Sequence, residues 1–432
     1  MLPGLCLSKP QRTGRGTVSP KNALKYLILE HLCAMKVLVI GGGAAGFFSA
    51  IQCAELNPAA EVTVLERGSE VLQKVRISGG GRCNVTHACF EPRELIQFYP
   101  RGSRELLGPF TQFNPTDTIE WFEGRGVPLK TESDGRMFPV SDDSGSIVRC
   151  LETSAQKAGV TIRTRARVDR FEPIDSNRWL VILGNGERLQ ADKLLVATGS
   201  STSVWKSLAQ IGHSIIDPVP SLFTFNTKDT RLRGLAGVSA PHCNLQIAGM
   251  KLSAEGPVLV THWGLSGPAI LRLSAWGARQ LHEVDYTFPL TIDWTGLGPE
   301  AVLDGLMEYK EAYPKRKPEA HALFDLPMRL WQNLVPATEK RWADYSKRDM
   351  EILHTALTKA VFPIHGKSTF KEEFVTAGGV DLKEINFKRF ESKIHPNLFM
   401  AGEVLDIDAI TGGFNFQAAW TGGWLAGQAM AW

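Results

Sequence analysis

The sequence has no Cys-x-x-Cys pair, and its seven cysteines, at positions 6, 33, 53, 83, 89, 150 and 243, are odd in number and scattered. That excludes zinc-ribbon spacing and a disulfide framework, and it points to a reducing, cytoplasmic compartment. Long apolar runs are missing too. The longest of note, Val37 to Phe48, has 12 residues of which four are glycine, too few to span a bilayer. Nor is there a global excess of charge. The 48 Lys and Arg face 45 Asp and Glu, and the difference is local. Residues 1–34 hold Lys9, Arg12, Arg15, Lys21 and Lys25 against Glu30 alone, which leaves 43 basic and 44 acidic groups in the rest. A body so balanced offers no overall electrostatic case for nucleic acid or an anionic membrane, and neither is expected as a partner. Internal repeats, a Ser/His/Asp set and a His/Asp/Glu cluster at ligand spacing are also absent, so no metal is expected.

What is present is a chain of 432 residues, 43% hydrophobic and 22% charged, too long for a single core. Residues 1–34 show no core-facing periodicity. They read as an upstream extension, since Met35 falls immediately before the first strand; a basic organelle-targeting peptide is the alternative. Lys36-Val-Leu-Val-Ile40 is almost wholly apolar, as a parallel strand buried on both faces must be. Gly41-Gly-Gly-Ala-Ala-Gly46 follows, then a helix through Phe47 to Glu55, then a second strand Glu61–Leu65 ending at Glu66. This is a βαβ unit. Lys193–Ala197 and Asn397–Ala401 read as further buried strands, each ending in a glycine turn, and residues 417–430 as a closing helix. Residues 160–192 alternate as a β-meander, 215–295 are short strands broken by Gly and Pro, and 298–360 turn charged and helical. The expected fold is α/β. A discontinuous Rossmann-like nucleotide domain, 35–205 with 368–432, is interrupted by a β-barrel-like domain, 206–297, and a helical domain, 298–367.

Gly-x-Gly-x-x-Gly carries little weight alone, but here it joins a buried strand to a helix. Gly41 allows the tight turn, Gly43 lets a pyrophosphate approach the backbone, and Gly46 permits close helix–strand packing, with Ala45 between them. The phosphates sit on the helix N-terminus, where free N–H groups and the dipole favour anions. Glu66, at the end of the second strand, accepts hydrogen bonds from a ribose diol. Its carboxylate also repels a 2′-phosphate that the adjacent Arg67 would otherwise invite. FAD is long and needs contacts far from its adenosine end. Thr198-Gly199 and Gly402-Glu403 at two strand ends supply them, followed by Thr411-Gly-Gly-Phe-Asn415 at the start of the last helix. Together these motifs favour FAD over NAD.

Further segments resemble the BaiN/YhiN-like family of NAD(P)/FAD-dependent oxidoreductases, within the two-dinucleotide-binding class of flavoproteins. They are Lys74-Val-Arg-Ile-Ser-Gly-Gly-Gly-Arg-Cys-Asn-Val-Thr86, Asp134–Val140, Thr261-His-Trp-Gly-Leu-Ser-Gly-Pro268, Val375-Thr-Ala-Gly-Gly-Val380, Ala401–Asp406 and Thr411–Gln417. The match runs from about Met35 to the C-terminus. It implies an FAD domain interrupted by barrel-like and helical domains. Members with known roles include reductases of carbon–carbon double bonds and an amine oxidase, so the family fixes cofactor better than substrate. The resulting cofactor-binding set is Gly41, Gly43, Ala45, Gly46, Glu66, Arg67, Arg76, Ser78, Gly79, Gly80, Arg82, Cys83, Asn84, Val168, Thr198, Gly199, Gly402, Glu403, Gly412, Gly413, Asn415 and Phe416. Within it Arg82 is a partner for pyrophosphate or reduced flavin, and Asn84 for the flavin edge. Arg82, Asn84 and His262 are the candidates for catalysis. Cys83 and Cys89 have five residues between them, unlike the closely spaced pairs of flavin disulfide reductases, so a structural thiol is expected.

The expected activity is hydride transfer between FAD and a small organic substrate, as an NAD(P)H-linked reductase of an unsaturated compound. A flavin-dependent amine oxidase using O2 is the alternative, and a non-catalytic flavin-binding sensor or partner protein is the alternative of another class. An RNA-modifying flavoprotein is disfavoured by the charge balance. No second Gly-x-Gly-x-x-Gly follows a strand, so NAD(P)H is expected as a transient donor.

Overall fold

The computed structural model describes residues 34–175, 177–336, 339–368 and 375–432; all but the last residue of the expected extension 1–34 lies outside these. Lys36–Ile40 lies inside a seven-stranded sheet. Glu61–Leu65 and Thr161–Arg163 follow on one side, Lys193–Val196 and Leu398–Met400 on the other, all parallel. A short antiparallel hairpin, Ile385–Asn386 with Glu391–Ser392, finishes that edge. Val37 to Ile40 are all buried, which explains the uninterrupted apolar run. The helices Ala44–Leu56 and Phe414–Met430 cross at very short range. A Cβ on Gly423 would lie 2.7 Å from the Ala45 carbonyl oxygen, and one on Gly427 would lie 2.6 Å from that of Ser49. Only glycine fits at either position. The meander sits as a separate three-stranded sheet, Val168–Pro173, Trp179–Leu183 and Arg188–Ala191.

The chain leaves this domain after the helix Thr202–Gln210 and returns through a two-stranded ribbon, Ile215–Ser221 against Val375–Val380. Between them lies a second seven-stranded sheet, antiparallel throughout. Its order is Ala360–His365, Thr287–Asp293, Ser239–Ile247, Ser253–Val260, Gly264–Ser266, Thr224–Asn226 and Lys367–Ser368. The two end strands are separated by Gly366 alone, so the sheet curls back on itself. Gly366, at φ +111°, donates to the Tyr286 carbonyl and accepts from the Asn226 N–H. One residue therefore joins the two ends of the barrel wall, in a backbone conformation that favours glycine.

The expected boundaries within the insertion do not mark separate cores. Val302, Leu306, Leu330 and Leu353, from the helices Pro299–Ala312, Met328–Leu334 and Lys347–Thr358, pack into one cluster with Leu245 and Ile292 of the barrel. The helices each bury one apolar stripe and cover that sheet, so 224–368 is one body. At the other boundary, Val204, Trp205 and Leu208 belong to the Rossmann core. No helix among the described residues is long and apolar enough to cross a membrane.

Candidate functional site

Three glycines of the first loop have three different surroundings. A Cβ on Gly41 would meet the Ala197 carbonyl oxygen at 2.4 Å, and one on Gly46 would meet the Gly41 oxygen at 2.0 Å. A Cβ on Gly43 would meet nothing within 4 Å. The first and third glycines thus pack strand, loop and helix together, while the second faces open space at the start of the helix Ala44–Leu56. That is the cradle a pyrophosphate needs. Glu66 accepts from the backbone N–H of Gly42 at 2.9 Å and of Gly68 at 2.7 Å. Its carboxylate therefore braces the loop, with lone pairs left for a diol. Arg67 and Arg76 are exposed, and Val168 follows a segment tied to Glu66 by the Ala166 N–H.

The second loop begins at Ser78, whose hydroxyl donates to the Val75 carbonyl at 2.9 Å. Gly79, Gly80 and Gly81 follow at φ +58°, +69° and +85°, and the last two have nothing within 4 Å of a built Cβ. The open backbone of Gly80-Gly81 suits the close approach of a planar ring. The residues around it are engaged with protein partners. Arg82 pairs with Glu132 at 2.6 Å and Asp142 at 3.4 Å, its guanidinium 3.9 Å over the Phe138 ring. These carboxylates take up its charge. Asn84 is buried, and with its amide oriented to suit its neighbours it donates to the carbonyls of Thr86 (3.0 Å) and Met137 (3.2 Å) and accepts from the Gly413 N–H (3.0 Å). It is a strut between two loops. Burial pushes the Cys83 thiol up to about 12, which disfavours the thiolate at neutral pH. Cys53, Cys83, Cys89, Cys150 and Cys243 are all free thiols.

A third group closes around these loops. Gly199 and Gly402 take φ +63° and +77°, and a Cβ on Gly402 would come within 3.3 Å of Ala45. Glu403 pairs with Lys74 at 2.5 Å and stands beside Gly199; Thr198 precedes that turn. Gly412 and Gly413, at φ +132° and +91°, lead into the last helix. Asn415 clamps the preceding loop, accepting from the Ala409 N–H at 2.9 Å and donating to its carbonyl at 3.1 Å. Phe416 stacks on Trp420, with 5.5 Å between ring centres. So the structure gathers the glycine loops at the carboxyl ends of the parallel strands, the usual place for a dinucleotide in such a sheet. His262 is carried by the inserted body, exposed at the turn between Ser253–Val260 and Gly264–Ser266 of the barrel.

Sequence reading missed the charges where the two bodies meet. Arg101 forms a two-pronged pair with the fully buried Asp408, and its third nitrogen donates to the Ala275 carbonyl at 2.7 Å. Ser221 donates to the same Asp408 at 2.7 Å. Alongside, Arg279 of the insertion holds Asp406 at 3.0 Å. Burial raises the carboxyl pKa of both Asp406 and Asp408, opposed at Asp406 by Arg279 and Arg101 and at Asp408 by Arg101 and Ser221. A buried polar chain was missed too: Gln417 accepts from the hydroxyls of Thr86 (2.6 Å) and Thr118 (2.9 Å) and donates to Thr421 (3.1 Å). Asp406 stands inside a segment that resembled the family, but nothing local shows its partner. Among the described residues no three His, Cys, Asp or Glu side chains are placed to hold a metal ion.

The donor set fits FAD. Backbone N–H groups around Gly43–Ala45 would hold the pyrophosphate, Glu66 a ribose, and Gly80-Gly81 with the start of the last helix the ring.

A family model described as HI0933-like protein Rossmann domain matches residues 35–429. The ribosomal RNA dihydrouridine synthase of Haemophilus influenzae is 30% identical over 400 residues, covering 89% of this chain and 95% of that protein. The Escherichia coli protein of the same name is 29% identical over 407 residues, 90% and 96% of the two chains. The 3-dehydro-bile acid delta(4,6)-reductase of Clostridium scindens is 28% identical over 421 residues, 92% and 99% of the two. Among solved structures, the 3-ketosteroid-delta4-(5alpha)-dehydrogenase of Rhodococcus jostii RHA1 aligns with a TM-score of 0.51 at 15% identity, over 92% of this chain and 97% of that one. At that identity the likeness is one of fold. The exclusion of nucleic acid drawn from net charge is not confirmed, since two relatives are named for action on RNA and overall balance says nothing of a local surface.

Proposed function

Because the chain belongs to the HI0933-like Rossmann family and is an FAD-dependent oxidoreductase, we propose that it reduces a carbon–carbon double bond conjugated to a carbonyl. The observation that carries this is the chemistry shared by the relatives' names. Making dihydrouridine saturates the C5–C6 bond of uracil, which is conjugated to the C4 carbonyl. A delta(4,6)-reductase of a 3-dehydro bile acid acts, by its name, on double bonds in line with a 3-oxo group. Either reaction needs a hydride at the carbon remote from the carbonyl and a proton at the carbon next to it. Bound flavin, once reduced by NADH or NADPH, would supply the hydride.

The substrate we propose is a uridine of ribosomal RNA, as two of the relatives above are named for. Gly80-Gly81 and the N–H groups at the start of the last helix would hold the ring of the cofactor, and the protein's part would be to position the substrate against it and exclude water. A small cyclic enone is the second reading, favoured by the bile-acid reductase. The test is anaerobic reduction of the purified yellow protein by NADH or NADPH, followed by unmodified ribosomal RNA or a panel of enones. Reoxidation by RNA with a gain of two mass units on uridine supports the first reading, and reoxidation by enones alone supports the second. A protein reduced only by amines and reoxidised by O2 is an oxidase. One that no donor reduces is a flavin-binding sensor, and both proposed reactions are then wrong.

A further inference from the structure

The helical part of the insertion carries three Lys-Arg pairs, within Tyr313-Pro-Lys-Arg-Lys-Pro318, Lys340-Arg341 and Lys347-Arg348. The fold brings all three together. Trp342 donates its backbone N–H to the Arg316 carbonyl at 2.9 Å, and Ala343 to Pro314 at 2.8 Å, so the first two segments run side by side. Lys340 reaches Asp349 at 2.8 Å, which joins the second segment to the third. Lys315, Arg316, Lys317, Lys340, Arg341, Lys347 and Arg348 are all exposed.

Charge runs on a surface are usually solvated and loose, but this one stands on a rigid floor. Trp331 and Trp342 are fully buried beneath it, and the Trp331 indole donates to the Pro318 carbonyl at 2.9 Å. Some of the nearby acids are engaged. Glu339 pairs with Lys317 at 2.5 Å, Asp349 with Lys340, and Asp344 accepts from the Arg341 N–H at 3.2 Å; Glu311, Glu319 and Glu351 stand in or beside the same segments. The Arg316 guanidinium lies 4.2 Å over the exposed ring of Tyr313, which adds a stacking face. Basic side chains on a fixed scaffold, interleaved with an exposed aromatic, suit a phosphodiester backbone better than a small anion.

We propose that this ridge docks the phosphate backbone of the RNA substrate, positioning it for reduction of one base at the FAD site. The proposal rests on the ribosomal RNA reading above. Its test uses the full-length holoenzyme, ribosomal RNA as probe, and filter binding at 50 and 200 mM salt. The charge reversals Lys315→Glu, Arg316→Glu and Lys347→Glu are combined in one variant. A control variant combines Lys383→Glu, Lys388→Glu and Lys393→Glu on the hairpin at the edge of the Rossmann sheet. FAD content and melting temperature establish folding, and the neutral set Lys315→Gln, Arg316→Gln and Lys347→Gln replaces the reversal should it not fold. The ridge variant is expected to lose at least about tenfold in affinity, and its salt slope to shrink by about one for each phosphate contact removed. The control is expected to bind as the parent does.

If the parent binds RNA and forms dihydrouridine while the ridge variant binds equally well, the ridge is refuted and the substrate stands. If the parent neither binds nor reduces RNA, the substrate reading fails and the ridge with it. Binding of phosphatidylserine vesicles by the ridge, without RNA binding, overturns the proposal in favour of a membrane.

Discussion

The side-chain carbonyl of Asn84 accepts the backbone N–H of Gly413 at 3.0 Å, joining the second glycine loop to the start of the last helix. Truncating Asn84 to Ala leaves that N–H without its acceptor and takes a donor from the Thr86 and Met137 carbonyls, of which Met137 keeps the Val85 N–H. Each unpaired buried group costs about 1–3 kcal/mol. Asn84→Ala is therefore expected to lower stability by at least ~2 kcal/mol and to release FAD. Asn84→Asp keeps the acceptor but turns a carboxylate toward two carbonyls, and should be worse at neutral pH. Urea titration with parallel measurement of bound FAD checks both. An Ala variant as stable as the parent would remove the strut from the account.

The first loop predicts a contrast between two glycines. Gly43 is at φ −93° with open space beyond it, so Gly43→Ala should fold normally and lose affinity for FAD. Gly41→Ala forces a Cβ against the Ala197 carbonyl at φ +111°, so it should lose the fold as well. Circular dichroism separates the two from their common loss of colour. Equal damage to folding in both would mean that Gly43 has a packing role.

Asp408 is the buried end of a clasp between the two bodies. Replacing it with Ala strands Arg101, most of whose side chain is out of water, without its counter-charge. Breaking one partner of a buried pair typically costs about 3–5 kcal/mol. Asp408→Ala should accordingly unfold at lower urea, and limited proteolysis should cut first in the ribbon Ile215–Ser221. A variant with unchanged midpoint and unchanged digestion would show that the Arg101–Asp408 clasp does not hold the bodies together.

Stability should also depend on pH through His213. Its Nδ1 faces Glu384 at 2.8 Å, its Nε2 faces Ser392 at 3.1 Å, and His395 stands 6.0 Å away between ring centres. Burial lowers its pKa, opposed by Glu384 and reinforced by His395. A histidine whose folded pKa lies below the unfolded one contributes in full above the unfolded value, and that contribution is lost as pH falls through the window beneath it. The fall should begin near the ordinary value of 6.5. Glu384 is held below the usual carboxylate range by its bonds to Ser214 and His213, against the opposing effect of burial, so it adds no slope there. Denaturation midpoints for the parent and His213→Gln between pH 5 and 8 test this, and parallel curves would refute it.

What the sequence made legible was local. Lys36–Ile40, the three spaced glycines and Glu66 lie within about 30 residues, where turn chemistry and strand patterning suffice. The rest depends on distant partners. Arg101 meets Asp408 across 307 positions, and no periodicity reports such a pairing. Arg82 and Asn84 matched a motif, yet what they touch lies in the hairpin Leu129–Pro139 and at Gly413, out of reach of a linear reading. Ala360–His365 alternates buried and exposed residues as a strand should, but Pro363 in its middle argues for a break. The structure tolerates it opposite Pro289.

The parallel sheet is interleaved in a way that bears on synthesis. Lys193–Val196 waits for its outer neighbour Leu398–Met400, which is made about 200 residues later, or roughly 10–40 s at ordinary translation rates. Until then its hydrogen-bonding edge is bare while the entire inserted body emerges and collapses, a period in which a chaperone or that body must shield it. The nucleotide loops are likewise scattered across this interval. Ribosome-arrested chains halted before Leu398 leaves the exit tunnel should retain no FAD, and chains extended beyond Met430 by a linker should retain it. Flavin capture by the shorter chains would mean that the first βαβ unit holds the cofactor on its own while translation continues.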